Sequence, residues 1–285
     1  MINNDTFQRF LFEDLHVRGE WVRLGDSFQE ATRAADYPQR IKSLLGQTIA
    51  ASVLLTGTLK FAGRLSIHAR GHGPVNLLSA ETTHLRNFRG IAKFETELDE
   101  AGDFKSLLGD AQLAITIDPE KGNRYQGIVP MEKQDLASCL EHYFELSEQL
   151  DTHLLLGANE DACYGLLLQK LPDYKTIEDQ DAWNRIVQLA KTMGEDELLN
   201  ADNETLITRL YHQEKVILYP SEQVAFDCGC SRDRSLQAIH SLGQEEALDI
   251  LAQEAVIALD CQFCGASYQF DRADIQTLFG LGSIQ

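Results

Sequence analysis

Hydrophobic and polar positions alternate with two different periods along the first 175 or so residues. Phe7–Leu15 predicts a short helix, and Glu20–Leu24 reads as a strand. Asp26 or Ser27 is placed to cap a helix running through Ala35. Tyr37-Pro38 opens a second helix, with Pro38 near its first turn. In that helix Ile41, Leu44, Leu45, Thr48, Ile49, Ser52 and Val53 fall at helical spacing, which predicts a central, buried element. Beyond Lys60 the period drops to two. Arg64–Ala69, Val75–Ala80, His84–Lys93, Ala111–Ile117 and Tyr125–Met131 read as strands, with turns at Gly71-His72-Gly73-Pro74 and Asp118–Gly122. Lys133–Leu150 predicts a helix, and His153–Gly157 and Tyr164–Leu171 close the region as strands. Runs of strands with interspersed helices predict an α+β fold rather than a regular βαβ array.

The pattern changes near Pro172. Ile177 to His212 is polar, acidic and helical in period. Trp183, Ile186, Val187, Leu189 and Ala190 form one apolar face, Gly194 interrupts it, Glu197–Leu199 predicts a single turn, and Asn203 is placed to cap a helix to His212. Helices this short are marginal unless they rest on something. The last 60 or so residues predict strands at Val216–Tyr219, Val224–Phe226 and Tyr268–Phe270, and helices at Ser231–His240 and Gln244–Gln253. The expected division is an N-terminal α+β domain over 1–175, a helical linker over 176–222 and a small C-terminal domain over 223–285.

Composition narrows the function classes. The 285 residues are 44% hydrophobic, enough for a sizeable core. Forty-four acidic against 25 basic residues give a net charge of −19, a poor match for nucleic-acid phosphates or anionic membranes. Residues 221–285 repeat the bias, with ten acidic residues, three arginines and no lysine, so nucleic-acid binding is not expected. The start of the chain has no basic region followed by an apolar one, and the longest apolar stretch, Ile49–Leu59, falls far short of the roughly 20 residues of a membrane helix. A cytoplasmic protein is expected, with no membrane partner. In a reducing compartment clustered cysteines point to metal or redox chemistry.

Four of the six cysteines are clustered: Cys228-Gly229-Cys230, thirty residues, then Cys261-Gln262-Phe263-Cys264. Two close pairs of soft thiolates suit one tetrahedral zinc ion in a closed structural site. Gly229 allows the tight first pair to turn both sulfurs to one point. Four protein ligands leave no open position, so hydrolysis by this metal is not expected. A C-terminal domain of about 60 residues has a weak core, and metal binding can supply on the order of 10 kcal/mol to such a module. Oxidation of the thiolates removes the ligands, and each close pair lies near enough along the chain to form its own disulfide. Cys139 and Cys163 stand alone and read as small core residues, and His240 as a surface helix residue. His72 and His142 have no recognisable catalytic partner, and there is no Walker-type phosphate loop. A thiol–disulfide oxidoreductase using Cys261 and Cys264 is the alternative, and a zinc-stabilised interaction module without redox response is a third reading.

At these residues the chain resembles the redox-regulated heat-shock holdase family HslO, which has a Cys-x-Cys pair, about 30 intervening residues and a Cys-x-x-Cys pair at its C-terminus. Similar stretches are Arg18-Gly19-Glu20, Tyr37-Pro38-Gln39, Thr58-Leu59-Lys60-Phe61, Gly71-His72-Gly73-Pro74, Arg124-Tyr125-Gln126-Gly127, Ser147-Glu148-Gln149-Leu150 and Cys228-Gly229-Cys230-Ser231-Arg232. The connection at Asn159–Ala162 is shorter than in some members, and Ser235 stands where some carry a further cysteine. The resemblance implies an ATP-independent chaperone, not an enzyme, that is inactive while reduced and zinc-bound. It implies that oxidation links Cys228 with Cys230 and Cys261 with Cys264, releases zinc, and unfolds the C-terminal domain and linker. Unfolded client proteins are then captured, and the active form is a homodimer. Trp183, Ile186, Leu198, Leu199, Leu206, Ile207 and Leu210 are the candidates for client contact, although packing of amphipathic helices accounts for the same pattern.

Overall fold

The computed structural model describes residues 5–60, 62–95, 103–172, 179 and 181–280. Phe61, the start of the expected linker helices at Ile177, and the expected boundary at 175–176 lie outside the described residues. In chain order the elements are β1 (Thr6–Phe12), β2 (Val17–Leu24), α1 (Asp26–Thr32), α2 (Gln39–Gly57), β3 (Gly63–Arg70), β4 (Val75–Thr83), β5 (Asn87–Phe94) and α3 (Phe104–Leu108). They continue with β6 (Gln112–Pro119), β7 (Tyr125–Val129), α4 (Leu136–Tyr143), β8 (Thr152–Ala158), β9 (Cys163–Lys170), α5 (Ala182–Ala190), α6 (Glu195–Asn200) and α7 (Asn203–Leu210). The last are β10 (Val216–Leu218), β11 (Glu222–Gln223), β12 (Ala225–Phe226), α8 (Arg232–Leu242), α9 (Gln244–Gln253), β13 (Ile257–Asp260), β14 (Ser267–Phe270) and α10 (Arg272–Leu278). The fold is α+β, as expected. The chain divides into a larger unit that ends at Asp227 and a smaller one that begins at Cys228 and also takes in Arg33–Ala35.

In the larger unit two six-stranded sheets enclose α2. One runs β10-β1-β2-β9-β8, with β11 also on β1, and the other runs β12-β5-β4-β3-β6-β7. Thirteen residues of α2 are buried, which matches a helix covered on both sides, and its polar members are satisfied internally. Thr48 and Thr56 hydroxyls donate to carbonyls one turn back, and the Ser52 hydroxyl lies 2.7 Å from that of Thr82 on β4. Gly90 on β5 admits the helix: a Cβ there would sit 2.8 Å from Ile49 Cγ1. No helix among the described residues is long and apolar enough to cross a membrane.

Several local expectations are corrected. Phe7–Leu15 is not a helix but holds β1, paired on both edges, with β2 on one side and β10 and β11 on the other. Its aromatics alternate between faces: Phe7 packs in the core around α2, and Phe10 and Phe12 pack on the opposite face. Burial on both faces overrides a local spacing that fits either period. The helix expected over Lys133–Leu150 is shorter: α4 ends at Tyr143, continues as one π-helical turn over Phe144–Glu148, and stops at Gln149 with φ +56°. Asp202, not Asn203, caps α7, accepting from the Thr205 amide at 2.9 Å. The first helix stops at Thr32 rather than Ala35, and β5 begins at Asn87 after a turn through Arg86, whose φ is +65°.

The helices α5, α6 and α7 lie on the sheet face opposite α2. Ile186, Leu198, Leu199, Leu206 and Ile207 are buried there against Phe10, Phe12, Trp21, Leu166 and Leu168, and Trp183 and Leu210 are partly buried in the same cluster. All seven proposed client-contact residues are thus covered in this state. Strand β2 is consequently buried on both sides: Val22 and Leu24 face α2, and Val17 and Trp21 face the linker helices.

Glu20 on β2 is buried, and its Oε2 has no hydrogen-bond partner among the described residues. Burial pushes its pKa up to about 7, against the pull of Arg18, Arg86 and Arg9. An acid whose pKa is higher in the folded state binds its proton more tightly there, so its stabilising contribution is full below about pH 4.5 and is lost as pH rises to about 7. Replacement Glu20→Gln is therefore expected to match the wild type near pH 4 and to exceed its stability by about 3 kcal/mol at pH 8. Urea unfolding across that range checks it. Ile49→Ala, which empties the centre of α2, is expected to cost about 2–5 kcal/mol in the same measurement.

Candidate metal centre

Two local turns bring the four cysteines together. Cys228 and Cys230 flank Gly229, whose φ of +62° is a conformation that a side chain rarely adopts. The Arg234 guanidinium donates to the Gly229 carbonyl, and Ser231 then caps α8 by accepting from the Arg234 amide at 3.2 Å. Cys261 and Cys264 lie in the turn that joins β13 to β14. The Cys261 amide donates to the Ala266 carbonyl at 2.8 Å, and the Gly265 amide, on a residue with φ +74°, returns to the Cys261 carbonyl at 2.8 Å.

The four Sγ atoms lie within 4.8 Å of one another. Cys228 and Cys230 sulfurs are 3.1 Å apart, and Cys230 and Cys264 sulfurs 3.5 Å. Four ligands at the usual zinc–sulfur distance on a tetrahedron are about 3.8 Å apart, so these two separations are slightly shorter and one ion could draw all four sulfurs to that spacing with small shifts. All four are free thiols. The donor set and spacing fit one metal ion, as the sequence pattern expected. Four thiolate donors in a closed set suit a soft or borderline metal ion.

Tyr268 on β14 is a neighbour that the spacing of cysteines did not reveal. Its hydroxyl lies 3.2 Å from Cys230 Sγ. That hydrogen bond pulls the Cys230 pKa down to about 7 and raises the Tyr268 phenol to about 12, the signature of a hydroxyl that donates to a thiolate. Burial pushes Cys264 up to about 12 and Cys228 above its ordinary value. A bound divalent cation would lower all of these by stabilising each sulfur as thiolate. Cys139 and Cys163 are buried in the larger unit, and burial raises both thiols, as expected of inert core residues.

The apolar core of this unit is small: Ile239, Ala247, Leu251, Ile257, Phe270 and Ile275 are its buried members. Arg232 reinforces it, donating to Asp274 at 2.6 Å and to the Gln269 carbonyl at 2.7 Å with its guanidinium 4.4 Å from the Phe270 ring centre. Helix α10, which the pattern did not predict, completes the packing with a capping box between Asp271 and Asp274. Partners of metal ligands typically contribute one to two orders of magnitude in affinity. Tyr268→Phe is therefore expected to weaken zinc binding by roughly 10-fold while leaving one site per chain, as measured by competition with a chromophoric chelator.

The comparisons bear on the whole chain. A family model described as "Hsp33 protein" matches residues 5–271. The "33 kDa chaperonin" of Ectopseudomonas mendocina (strain ymp) is 48% identical, over 98% of this chain and 97% of the relative. That of Hahella chejuensis is 46% identical, over 96% of this chain and 97% of the relative. The crystal structure of the 33 kDa chaperonin from Thermotoga maritima has the same fold, with a TM-score of 0.85 at 20% identity, over 98% of this chain and 99% of that one. Paired cysteines, fold and near-full-length similarity agree, and the chain belongs to the Hsp33 family.

Proposed function

We propose that this protein is a redox-regulated, ATP-independent chaperone of the cytoplasm that holds unfolding proteins when oxidised. The observation that carries the reading is the gathering of four reduced cysteines, in two locally paired turns, within 4.8 Å of one another. Full-length similarity to proteins named 33 kDa chaperonin supports the chaperone output.

When bound, zinc supplies four metal–thiolate bonds that tie the Cys228–Cys230 turn to the Cys261–Cys264 turn. The chain contributes the rest. Gly229 and Gly265 shape the turns, Tyr268 donates to Cys230, and Arg232 ties the start of α8 to α10. A peroxide oxidises each pair: two thiolates, one hydrogen peroxide and two protons from solvent give one disulfide and two waters. Cys228 joins Cys230, and Cys261 joins Cys264. Once oxidised, neither pair retains thiolates for the metal. The small core of Ile239, Leu251, Ile257 and Phe270 then lacks its cross-link, and the C-terminal unit loosens.

Release of α5–α7 follows in this reading. It uncovers Trp183, Ile186, Leu198, Leu199, Leu206, Ile207 and Leu210 together with the sheet surface they cover, and both become available to unfolded clients. Oxidised chains associate as homodimers. The position of Cys261 and Cys264 in a hairpin turn, rather than at a helix N-terminus, favours this reading over a thiol–disulfide oxidoreductase.

Light scattering from a chemically unfolded client tests the proposal. Reduced, zinc-loaded protein is expected to leave aggregation unchanged, and protein treated with peroxide under mild heat to suppress it. Suppression that is equal before and after oxidation, or absent from both, would count against it. Cys264→Ser is expected to abolish the oxidant dependence.

A further inference from the structure

The seam between β2 and the α6–α7 junction is polar at its centre, in a cluster that is otherwise apolar. Arg23 follows Trp21 on the same face of β2 and is 3% exposed. Its Nη1 donates to the Ala201 carbonyl at 2.7 Å and approaches the Leu199 carbonyl at 3.4 Å. These carbonyls lie where α6 ends, among acceptors that a helix leaves without an internal partner and where a cation is favoured. Asp202, which caps α7, adds an attractive charge to the same guanidinium, although burial has the larger effect on it.

The neighbouring polar atoms are not satisfied. Arg23 Nε, Trp21 Nε1 and Asn203 Oδ1 are all buried without a hydrogen-bond partner among the described residues. Docking of these helices therefore strips water from three groups and returns hydrogen bonds at one guanidinium nitrogen. Such an interface is held at one polar point and gains hydration when it opens. The ion pairs of α5–α7, Arg185 with Asp179 and Glu214 and Arg209 with Glu197, do not reach the sheet, and the pairs that do, Lys215 with Glu13 and Glu222 with Arg9 and Arg86, lie beyond α7.

We propose that Arg23 is the positioning residue that clamps the α6–α7 junction to the first sheet and so sets how readily these helices are released. The link to chaperone activity rests on the function proposed above; the clamp itself does not. Removal of the guanidinium leaves the Ala201 carbonyl without its donor while Trp21 Nε1 still lacks an acceptor and Asn203 Oδ1 a donor, so the balance moves toward the open, hydrated state.

The test uses the full-length, reduced, zinc-loaded protein and hydrogen exchange read by mass spectrometry. Arg23→Met keeps the apolar stem and removes the charge, and Arg23→Lys keeps a single charge on a simpler donor. Exchange over residues 195–210 is expected to rise roughly tenfold in R23M and by less in R23K, with residues 152–170 and zinc content unchanged. Equal protection of 195–210 in the wild type and both variants would overturn the clamp, as would parallel loss of protection over 152–170. If R23M fails to fold, R23K carries the same comparison. Light scattering separates the two readings. Faster exchange with client protection in the reduced state supports both, and faster exchange without it supports the clamp and counts against the proposed client surface.

Discussion

Convergence of four sulfurs on one point is the constraint on which the C-terminal unit depends. Six buried apolar residues, one of them alanine, make a modest core for the chain from Cys228 to Gly280. Metal–thiolate bonds worth on the order of 10 kcal/mol are comparable with the whole stability of such a module. The backbone is arranged around this requirement. Gly229 and Gly265 take left-handed conformations at the two turns, Ser231 caps the helix that leaves the first, and the β13–β14 hairpin carries the second. A fold that leans on its metal ligands is one whose stability is open to redox chemistry, since the groups that hold it are also the groups that oxidants attack.

The larger unit is built the other way, from apolar burial. Helix α2 is covered by two sheets, and β2 is covered by α2 on one face and by the linker helices on the other. The linker helices are short, from six to nine residues, and owe their order to that contact rather than to their own propensity. The surface they cover includes Phe10, Phe12 and Trp21. In the proposed mechanism, release uncovers two complementary apolar surfaces at once, while α2 and its core stay enclosed. Arg23 places a dehydrated charge in the middle of this contact, which makes it firm in position and easy to rehydrate.

Legibility in the sequence followed how local each signal was. The four cysteines could be read from spacing because each pair is completed within one turn. Helix α2 could be read because its apolar positions continue for about four turns, and β3 because it alternates between a buried and a more exposed face. Strand β1 could not, because its second edge is paired by β10 and β11 from about 200 residues away and its burial on both faces blurs the alternation. The early end of α4 depends on a π-helical turn and a left-handed Gln149, neither of which has a marked residue type. Tyr268 and Arg23 were missed for a related reason. Each looks like an ordinary strand residue until the fold brings Cys230 or the Ala201 carbonyl to it.

Counting zinc and thiols together during peroxide titration tests the central claim most directly. If one closed four-thiolate centre governs the switch, one zinc is released for every four thiols lost, with Cys139 and Cys163 still reduced. Zinc retained after the four thiols have been oxidised, or zinc lost while those four remain reduced, would contradict the account.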